Sequence, residues 1–91
     1  MPTYFKERGY RFFFVSYDCI EPRHVHIVKD NKECKFWAGS VKRIILEDNR
    51  GFKKPEVKFI QETIVANYQI IKKIWDEHCK DTAPKAYKRD Q

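Results

Sequence analysis

Two histidines lie one residue apart in the segment EPRHVHIVKD, and their spacing is the clearest hint of chemistry in this chain. Alternate residues of a β-strand point to the same face, so His24 and His26 would present adjacent imidazoles with Cα atoms about 7 Å apart. Imidazole titrates near pH 6.5 and can act as a general acid or as a general base. The pair could therefore supply both catalytic groups of a metal-independent ribonuclease.

Three neighbouring side chains could complete such a ribonuclease site. Lys35 is predicted opposite His26 and Arg23 is adjacent to His24, so two cations could hold a phosphate. Trp37 could stack on a base. The sequence favours a simpler interpretation, in which the histidines are structural or exposed, Lys35 is a solubilising charge and Trp37 is a partly covered packing residue. Because no third residue that would orient the imidazoles can be named, catalysis ranks below binding.

A metal site ranks lower still, and the sequence predicts neither a metal nor a cofactor. A zinc site needs three or four ligands. The other donors show no ligand-like spacing, and Cys34 is predicted on the opposite face of the sheet from the histidines. Those donors are Asp18, Cys19, Cys34, His78 and Cys79.

A second candidate site is the basic stretch of residues 41–58. Six cations outnumber three carboxylates there, and the resulting net charge of +3 is half of the chain's +6. The cations are Lys42, Arg43, Arg50, Lys53, Lys54 and Lys58. Lysines at a helix N-terminus oppose the helix dipole, and free backbone N–H groups beside them can bind a phosphate. The stretch therefore predicts an anion-binding surface, with a solvated charge run as the simpler alternative.

The elements that position these residues follow from hydrophobic periodicity. Residues 10–17, YRFFFVSY, indicate a buried strand, and residues 3–6 indicate a short strand before it. Residues 24–29 and 33–38 indicate a hairpin that turns at Asp30 and Asn31. A further edge strand is predicted within residues 41–48.

The hairpin register can be predicted by counting outward from the turn. It places Ile27 opposite Cys34 and Val25 opposite Phe36, which gathers apolar side chains on one face. The other face then receives the histidines, with His26 opposite Lys35 and His24 opposite Trp37. This polarity pattern needs no ligand to explain it.

From Pro55 onward the apolar residues recur every three or four positions, which is the spacing of one helical face. They are Val57, Ile60, Ile64, Tyr68, Ile71, Trp75 and His78 or Cys79. The pattern predicts one long amphipathic helix, from about residue 55 to 80, packed on one face of the sheet. The predicted fold class is α+β, with a small antiparallel meander of three to five strands in residues 3–47. Residues 1–80 form the single predicted domain, and residues 81–91 form a flexible basic tail.

Composition restricts the remaining choices. Ninety-one residues, 42% of them hydrophobic, suffice for one small domain and leave no room for a multi-domain enzyme. The three cysteines are odd in number and widely spaced, so the sequence predicts reduced thiols rather than a disulfide framework. Charged residues follow the N-terminus closely, and no run of about 18 apolar residues exists. We therefore expect a cytoplasmic protein that does not enter a membrane.

Four segments occur in an order that resembles the bacterial and archaeal domain-of-unknown-function family 4160. They are the strand GYRFFFVSYD, the Pro-x-His-x-His segment EPRHVHIVKDNKECKFW, the segment AGSVKRIILEDNRGF and the helix segment IIKKIWDEH. Members usually carry a second proline where this chain has Arg23. The resemblance implies a small stand-alone protein, often encoded beside another small protein and frequently grouped with toxin–antitoxin pairs. It implies no catalytic mechanism.

The leading hypothesis is therefore a non-catalytic binding module, in the manner of a toxin–antitoxin component, that contacts RNA, DNA or a small partner protein from a neighbouring gene through its basic surface. One alternative is the ribonuclease. Another is a homo-oligomeric or hetero-oligomeric interaction protein that binds no nucleic acid and assembles through a sheet face or edge strand.

Overall fold

The computed structural model of the chain describes residues 3–79, which form one antiparallel sheet and two helices. The five strands lie in the sheet in their order along the chain. They are β1 (Thr3–Glu7), β2 (Tyr10–Phe13), β3 (His24–Lys29), β4 (Lys32–Ala38) and β5 (Ile44–Arg50), followed by α1 (Lys54–Ala66) and α2 (Tyr68–Cys79). A 3₁₀ segment, Ser16–Ile20, connects β2 to β3. The predicted α+β class and antiparallel meander are confirmed, whereas the predicted tail of residues 81–91 lies outside the described residues.

The β3–β4 hairpin has the predicted register. Val25 pairs with Phe36, and Ile27 pairs with Cys34. The polar face follows the same count, with His26 opposite Lys35 and His24 opposite Trp37. Asp30 takes a positive φ of 56° at the turn, a conformation that Asp tolerates because its short side chain can hydrogen-bond locally.

Strand β2 is shorter than predicted. It ends at Phe13, and the chain then enters the 3₁₀ segment instead of continuing as a strand to Tyr17. The Asp18 carboxylate accepts a hydrogen bond from the Val15 N–H at 2.9 Å, which turns the backbone at this point. Apolar composition alone cannot reveal such a turn.

The predicted single helix is wrong in one respect, because it divides at Asn67 into α1 and α2. The Asn67 side-chain amide donates a hydrogen bond to the Thr63 carbonyl at 2.9 Å, and the Thr63 hydroxyl donates to the Phe59 carbonyl at 2.8 Å. Side chains that compete for helical carbonyls in this way bend or break a helix. The apolar stripe nevertheless continues through the break, since Ile64, Tyr68 and Ile71 are all buried.

The core lies between the sheet and both helices. Phe12, Val25, Ile27 and Phe36 contribute to it from the sheet. The helices contribute Ile60, Ile64, Tyr68, Ile71 and Trp75 to the same cluster. The predicted packing of these helix residues against the sheet is therefore confirmed.

A disulfide joins Cys19 in the 3₁₀ segment to Cys79 at the end of α2, across 60 residues of sequence. Both half-cystines are buried. The prediction of reduced thiols is therefore wrong for this pair, and only Cys34 is a free, buried thiol among the described cysteines. No helix within residues 3–79 is both long enough and apolar enough to cross a membrane.

Candidate functional site

Asp18 lies between the two histidines of β3 and makes them into a cluster of three. The Nε2 atoms of His24 and His26 each lie 3.0 Å from the same oxygen, Asp18 Oδ2. His26 hydrogen-bonds this oxygen, and because a carboxylate only accepts, the His26 Nε2–H is the donor. The 3₁₀ segment therefore places an anion on the pair.

His24 is fully buried, and its ring is held on several sides. Its Nδ1 lies 2.9 Å from the Pro22 carbonyl oxygen, which can only accept, so Nδ1 carries a proton. The Trp37 and Trp75 rings pack against it edge to face, with centroids 5.5 and 5.3 Å away. Its Nε2 is buried and, despite the short distance to the carboxylate, has no hydrogen-bond partner within the described part of the chain.

The protonation states of the cluster follow from its surroundings. Burial raises the pKa of Asp18, but the Val15 N–H hydrogen bond and the adjacent imidazoles outweigh that effect, and the net pKa lies below its ordinary value. For His26, burial and the neighbouring His24 lower the pKa, and Asp18 opposes them only in part. At neutral pH the cluster therefore combines a carboxylate with a neutral His26.

The proposed phosphate clamp around the histidines is occupied by protein groups. The Lys35 ammonium lies 3.1 Å from Glu21 and sits over the Trp37 ring, 4.4 Å from its centroid. The Trp37 indole N–H donates to Glu47 at 2.8 Å. Lys35 and Trp37 therefore already have partners, and the carboxylates around the pair make this end of the sheet unfavourable for a phosphate.

Arg23 is also engaged, and its side chain is only 12% exposed. Its guanidinium donates to the Ala38 carbonyl at 3.0 Å, to the Gly39 carbonyl at 3.0 Å and to the Tyr68 hydroxyl at 2.7 Å. Asp76 lies 3.5 Å away. Arg23 therefore ties the end of β4 to α2, and its N–H groups are not directed towards a ligand.

The basic stretch, in contrast, is exposed along its length. All six predicted cations face solvent; they are Lys42, Arg43, Arg50, Lys53, Lys54 and Lys58. Arg50 lies 3.2 Å from Asp48, but the other five have no ion-pair partner within 4.0 Å among residues 3–79. We call these six residues the basic surface.

The carboxylates near the basic surface are already paired with other groups. Glu47 accepts the Trp37 indole N–H, and Asp48 is paired with Arg50. Glu56 lies 3.0 Å from the Lys32 ammonium and accepts the Lys53 backbone N–H at 3.0 Å. Among these carboxylates only Asp48 pairs with a cation of the basic surface, so the other five cations are left without an ion-pair partner among residues 3–79.

Glu56 also changes the predicted phosphate site at the helix N-terminus. Its carboxylate caps α1 by accepting the Lys53 N–H, as the third residue of a capping box does. This hydrogen bond, together with Lys32, lowers the pKa of Glu56 to about 2. A carboxylate of this chain thus occupies part of the position that was predicted for a phosphate, and the lysine side chains, rather than the helix end, remain available.

A groove between β5 and α1 is lined by two residues of the basic surface. The Gln61 side-chain amide donates to the Ile44 carbonyl at 3.1 Å, so the second half of α1 lies beside the start of β5. Lys54 and Lys58, one helical turn apart, line the groove. It has a volume of about 300 Å³, and its other lining residues are Leu46, Asn49, Phe52, Val57 and Gln61.

The sequence identified both histidines and the basic stretch but missed Asp18 as their partner. The only available signal was the short distance along the chain, six residues, between Asp18 and His24. A turn over those residues could return the carboxylate to the strand, but the 3₁₀ segment has no strong sequence signature. The cluster is therefore a finding of the structure.

Comparison with known proteins places these features in one family. Searches of the curated proteins and of the solved structures found no significant match. The family model described as "Domain of unknown function (DUF4160)" matches residues 9–76, a range that includes Asp18, both histidines and the basic surface. This match covers most of the chain, and the chain belongs to that family.

Proposed function

We propose that the protein is a non-catalytic binding module that contacts the phosphate backbone of RNA or DNA through its basic surface. The observation that carries the proposal is the imbalance of pairing at this surface. Five of its six cations have no ion-pair partner among residues 3–79, and the only nearby carboxylate that pairs with a cation of the surface is Asp48, which engages Arg50. Exposed cations without partners can neutralise phosphates and release their counterions, which is the main source of affinity for nucleic acids.

The length of the basic surface favours a polymer over a small anion. Lys42 and Arg43 precede β5, whereas Lys53 and Lys54 follow it, and the seven residues of β5 span about 20 Å. A single phosphate could reach only one end. A polyanion lying along the β5–α1 groove could contact both ends and Lys58 between them.

The proposed contact is with the backbone rather than with the bases. Phe52 is buried, so this aromatic residue beside the groove is not available to stack on a base. Lysine contacts to phosphate position a nucleic acid without reading its sequence. We therefore expect similar affinity for different sequences of equal length and a strong dependence on salt.

The family resemblance supports a role as one member of a protein pair of the toxin–antitoxin type. In this proposal the binding module acts together with a small protein encoded beside it, and the nucleic acid or that partner is the physiological ligand. Purification of the native complex, with identification of the bound protein and nucleic acid, tests this part directly. Recovery of the protein alone, with neither component, would contradict it.

The nucleic-acid proposal is tested by fluorescence anisotropy with labelled single-stranded RNA and duplex DNA over a series of salt concentrations. Lys54→Glu with Lys58→Glu reverses the two charges that line the groove. Lys6→Glu with Lys73→Glu is the matched control, because it changes the net charge equally at exposed positions on β1 and α2.

We expect the groove variant to weaken binding to all sequences alike and to reduce the salt slope for single-stranded RNA by about 1.4, or about 0.7 for each lost phosphate contact. The control should keep most of the affinity. Equal losses in both variants would show a nonspecific effect of net charge. No binding by the wild type at low salt would contradict the proposal outright.

A second candidate function is protein association through the outer edge of the sheet. Strand β5 pairs only with β4, and Ile45 and Leu46 on it are 48% and 41% exposed. An edge strand with exposed apolar residues can pair with a strand of another chain. Light scattering tests self-association. A strict monomer at tens of micromolar would exclude a homo-oligomer and leave association with a different protein as the remaining form of this hypothesis.

The ribonuclease alternative receives less support from the histidine cluster. A general acid or base must come within hydrogen-bonding reach of the atom that exchanges the proton. His24 is fully buried, and its Nδ1 is bound to the Pro22 carbonyl. Cleavage that His26→Ala abolishes, in protein free of contaminating nuclease, would restore this alternative.

A further inference from the structure

The histidine cluster contains a buried ring nitrogen, His24 Nε2, that faces a carboxylate. Nδ1 of His24 donates to the Pro22 carbonyl, so Nε2 is the ring nitrogen that faces Asp18. This nitrogen lies 3.0 Å from a carboxylate oxygen, yet it is buried and makes no hydrogen bond within residues 3–79. A cation bound beside both atoms would give each of them a partner.

We propose that Asp18, His24 and His26 bind a divalent first-row transition ion, for which Zn²⁺ is the probe of choice. One carboxylate oxygen and two imidazole nitrogens form a common ligand set for zinc, and for iron in sites with open positions. The sequence predicted no metal, because the 3₁₀ segment that brings Asp18 to the histidines has no strong sequence signature.

The support around His24 is that of a metal-bound imidazole. Metal-ligating histidines usually donate the other ring N–H to a carbonyl or carboxylate, which fixes the tautomer and directs the lone pair at the ion. The hydrogen bond from His24 Nδ1 to Pro22 has this arrangement. Packing of Trp37 and Trp75 against the ring holds it in place before any ion arrives.

The distances fit a three-residue ligand set after a small adjustment. Bonds of about 2.0–2.1 Å in a tetrahedral site give ligand-to-ligand distances of about 3.3 Å. Both nitrogen-to-oxygen distances are 3.0 Å, and the donor atoms of the three residues all lie within 4.8 Å of one another. An ion can therefore bind after a rotation of the His26 side chain, which is 27% exposed, while His24 stays fixed.

The proton balance of binding is simple. His26 now donates its Nε2–H to Asp18, so binding through Nε2 requires that proton to move to Nδ1 through solvent. A remaining position of the ion would be filled by water from the exposed side of His26.

Charged neighbours adjust the site without filling it. Glu21 lies 3.6 Å from His24 Nδ1, and its other neighbour is the Lys35 ammonium at 3.1 Å. Cys19, the residue after Asp18, is joined to α2 by the disulfide, which holds the carboxylate over the histidines.

The experiment measures Zn²⁺ binding at pH 7 by competition with a chromophoric chelator, using the complete chain after treatment with a strong chelator. We compare wild type with Asp18→Asn and His26→Gln, which remove one ligand each and preserve side-chain size. His78→Gln is the matched control, because His78 is an exposed histidine at the end of α2, outside the cluster. Circular dichroism of each metal-free variant establishes that it is folded.

We expect one Zn²⁺ per chain with a Kd below about 100 µM, weakened by about 100-fold or more in Asp18→Asn and in His26→Gln and unchanged in His78→Gln. A wild-type Kd above that limit, or equal binding by both cluster variants, overturns the proposal. If a cluster variant does not fold, the Zn²⁺ affinity of the wild type and the NMR titration below still test the proposal. In a titration followed by nitrogen NMR, the Nε2 resonances of His24 and His26 must shift together with added Zn²⁺, and a response confined to other residues overturns the proposal.

Discussion

Reduction of the Cys19–Cys79 disulfide should lower the free energy of unfolding by about 4 kcal/mol. The bond closes a loop across a sequence separation of 60 residues. In the chain-entropy treatment, a loop of this length removes about 14 cal/mol/K from the unfolded ensemble, which amounts to about 4 kcal/mol at 25 °C. Both half-cystines are buried, and reduction removes no heavy atom, so it creates no cavity of the kind that a truncation would.

The assay is urea denaturation of the wild type with and without reductant, followed by circular dichroism. For a slope of about 1–2 kcal/mol per molar urea, the midpoint should fall by about 2–4 M. The variant Cys19→Ala with Cys79→Ala is the control, because its midpoint should not respond to reductant. A change in the wild type below about 1 kcal/mol would refute the reasoning, since the bond would then not constrain the unfolded chain as its loop length requires.

Three further predictions concern the packing and charge that support the surface. Ile64→Ala should lower the free energy of unfolding by about 2–4 kcal/mol in chemical denaturation, because Ile64 is fully buried. Val65→Ala, at a position 41% exposed, should cost less than about 1 kcal/mol. Equal losses would mean that the buried face of the helix is assigned incorrectly. The pKa of Glu56 is lowered to about 2 by its cap hydrogen bond and its lysine partner, so its stabilisation is present above its ordinary pKa of about 4.5 and is lost as pH falls towards 2. Glu56→Gln should flatten the fall in stability over that pH range, and an unchanged profile in pH-dependent urea unfolding would refute this. Gly51→Ala should lower the free energy of unfolding by about 1–2 kcal/mol, because φ is +104° there and a Cβ would lie 2.9 Å from a side-chain carbon of Lys32. Gly39→Ala, where a Cβ would have no atom within 4 Å, should be nearly neutral. Thermal unfolding of both variants measures the difference.

Much of the sheet could be predicted because its register is determined locally. The turn at Asp30 and Asn31 fixes which residues of β3 and β4 face one another, and the alternation of apolar and polar residues admits only one register. The apolar stripe of α1 and α2 could be predicted for the same reason, since it depends only on the spacing of residues along the helices.

Features that depend on individual side-chain contacts, rather than on the periodicity of one element, were not predictable. The division at Asn67 arises from a side-chain hydrogen bond to Thr63 that helical periodicity does not register. The disulfide joins cysteines 60 residues apart, a separation that has no local signature. Asp18 reaches His24 only because β2 ends early and the 3₁₀ segment returns the chain to β3.

The disulfide also bears on the predicted compartment. Location in the cytoplasm stays a prediction, and a reducing thiol pool there would act against the Cys19–Cys79 bond. Trapping free thiols in lysate, followed by mass spectrometry of both cysteine peptides, would measure the oxidised fraction. If most copies of Cys19 and Cys79 react with the thiol-trapping reagent, the two cysteines are reduced in the cell and the disulfide does not form there.

The most direct test of the proposed function is to locate the binding surface on the folded protein. The ¹⁵N-labelled chain is titrated with a short single-stranded RNA of mixed sequence at low salt, and amide shift changes are mapped onto the structure. The account predicts that the largest changes fall in residues 42–58, along β5 and the first turns of α1, and that they disappear as salt is raised. Changes centred on β1 and β2, or none at millimolar RNA, would contradict it.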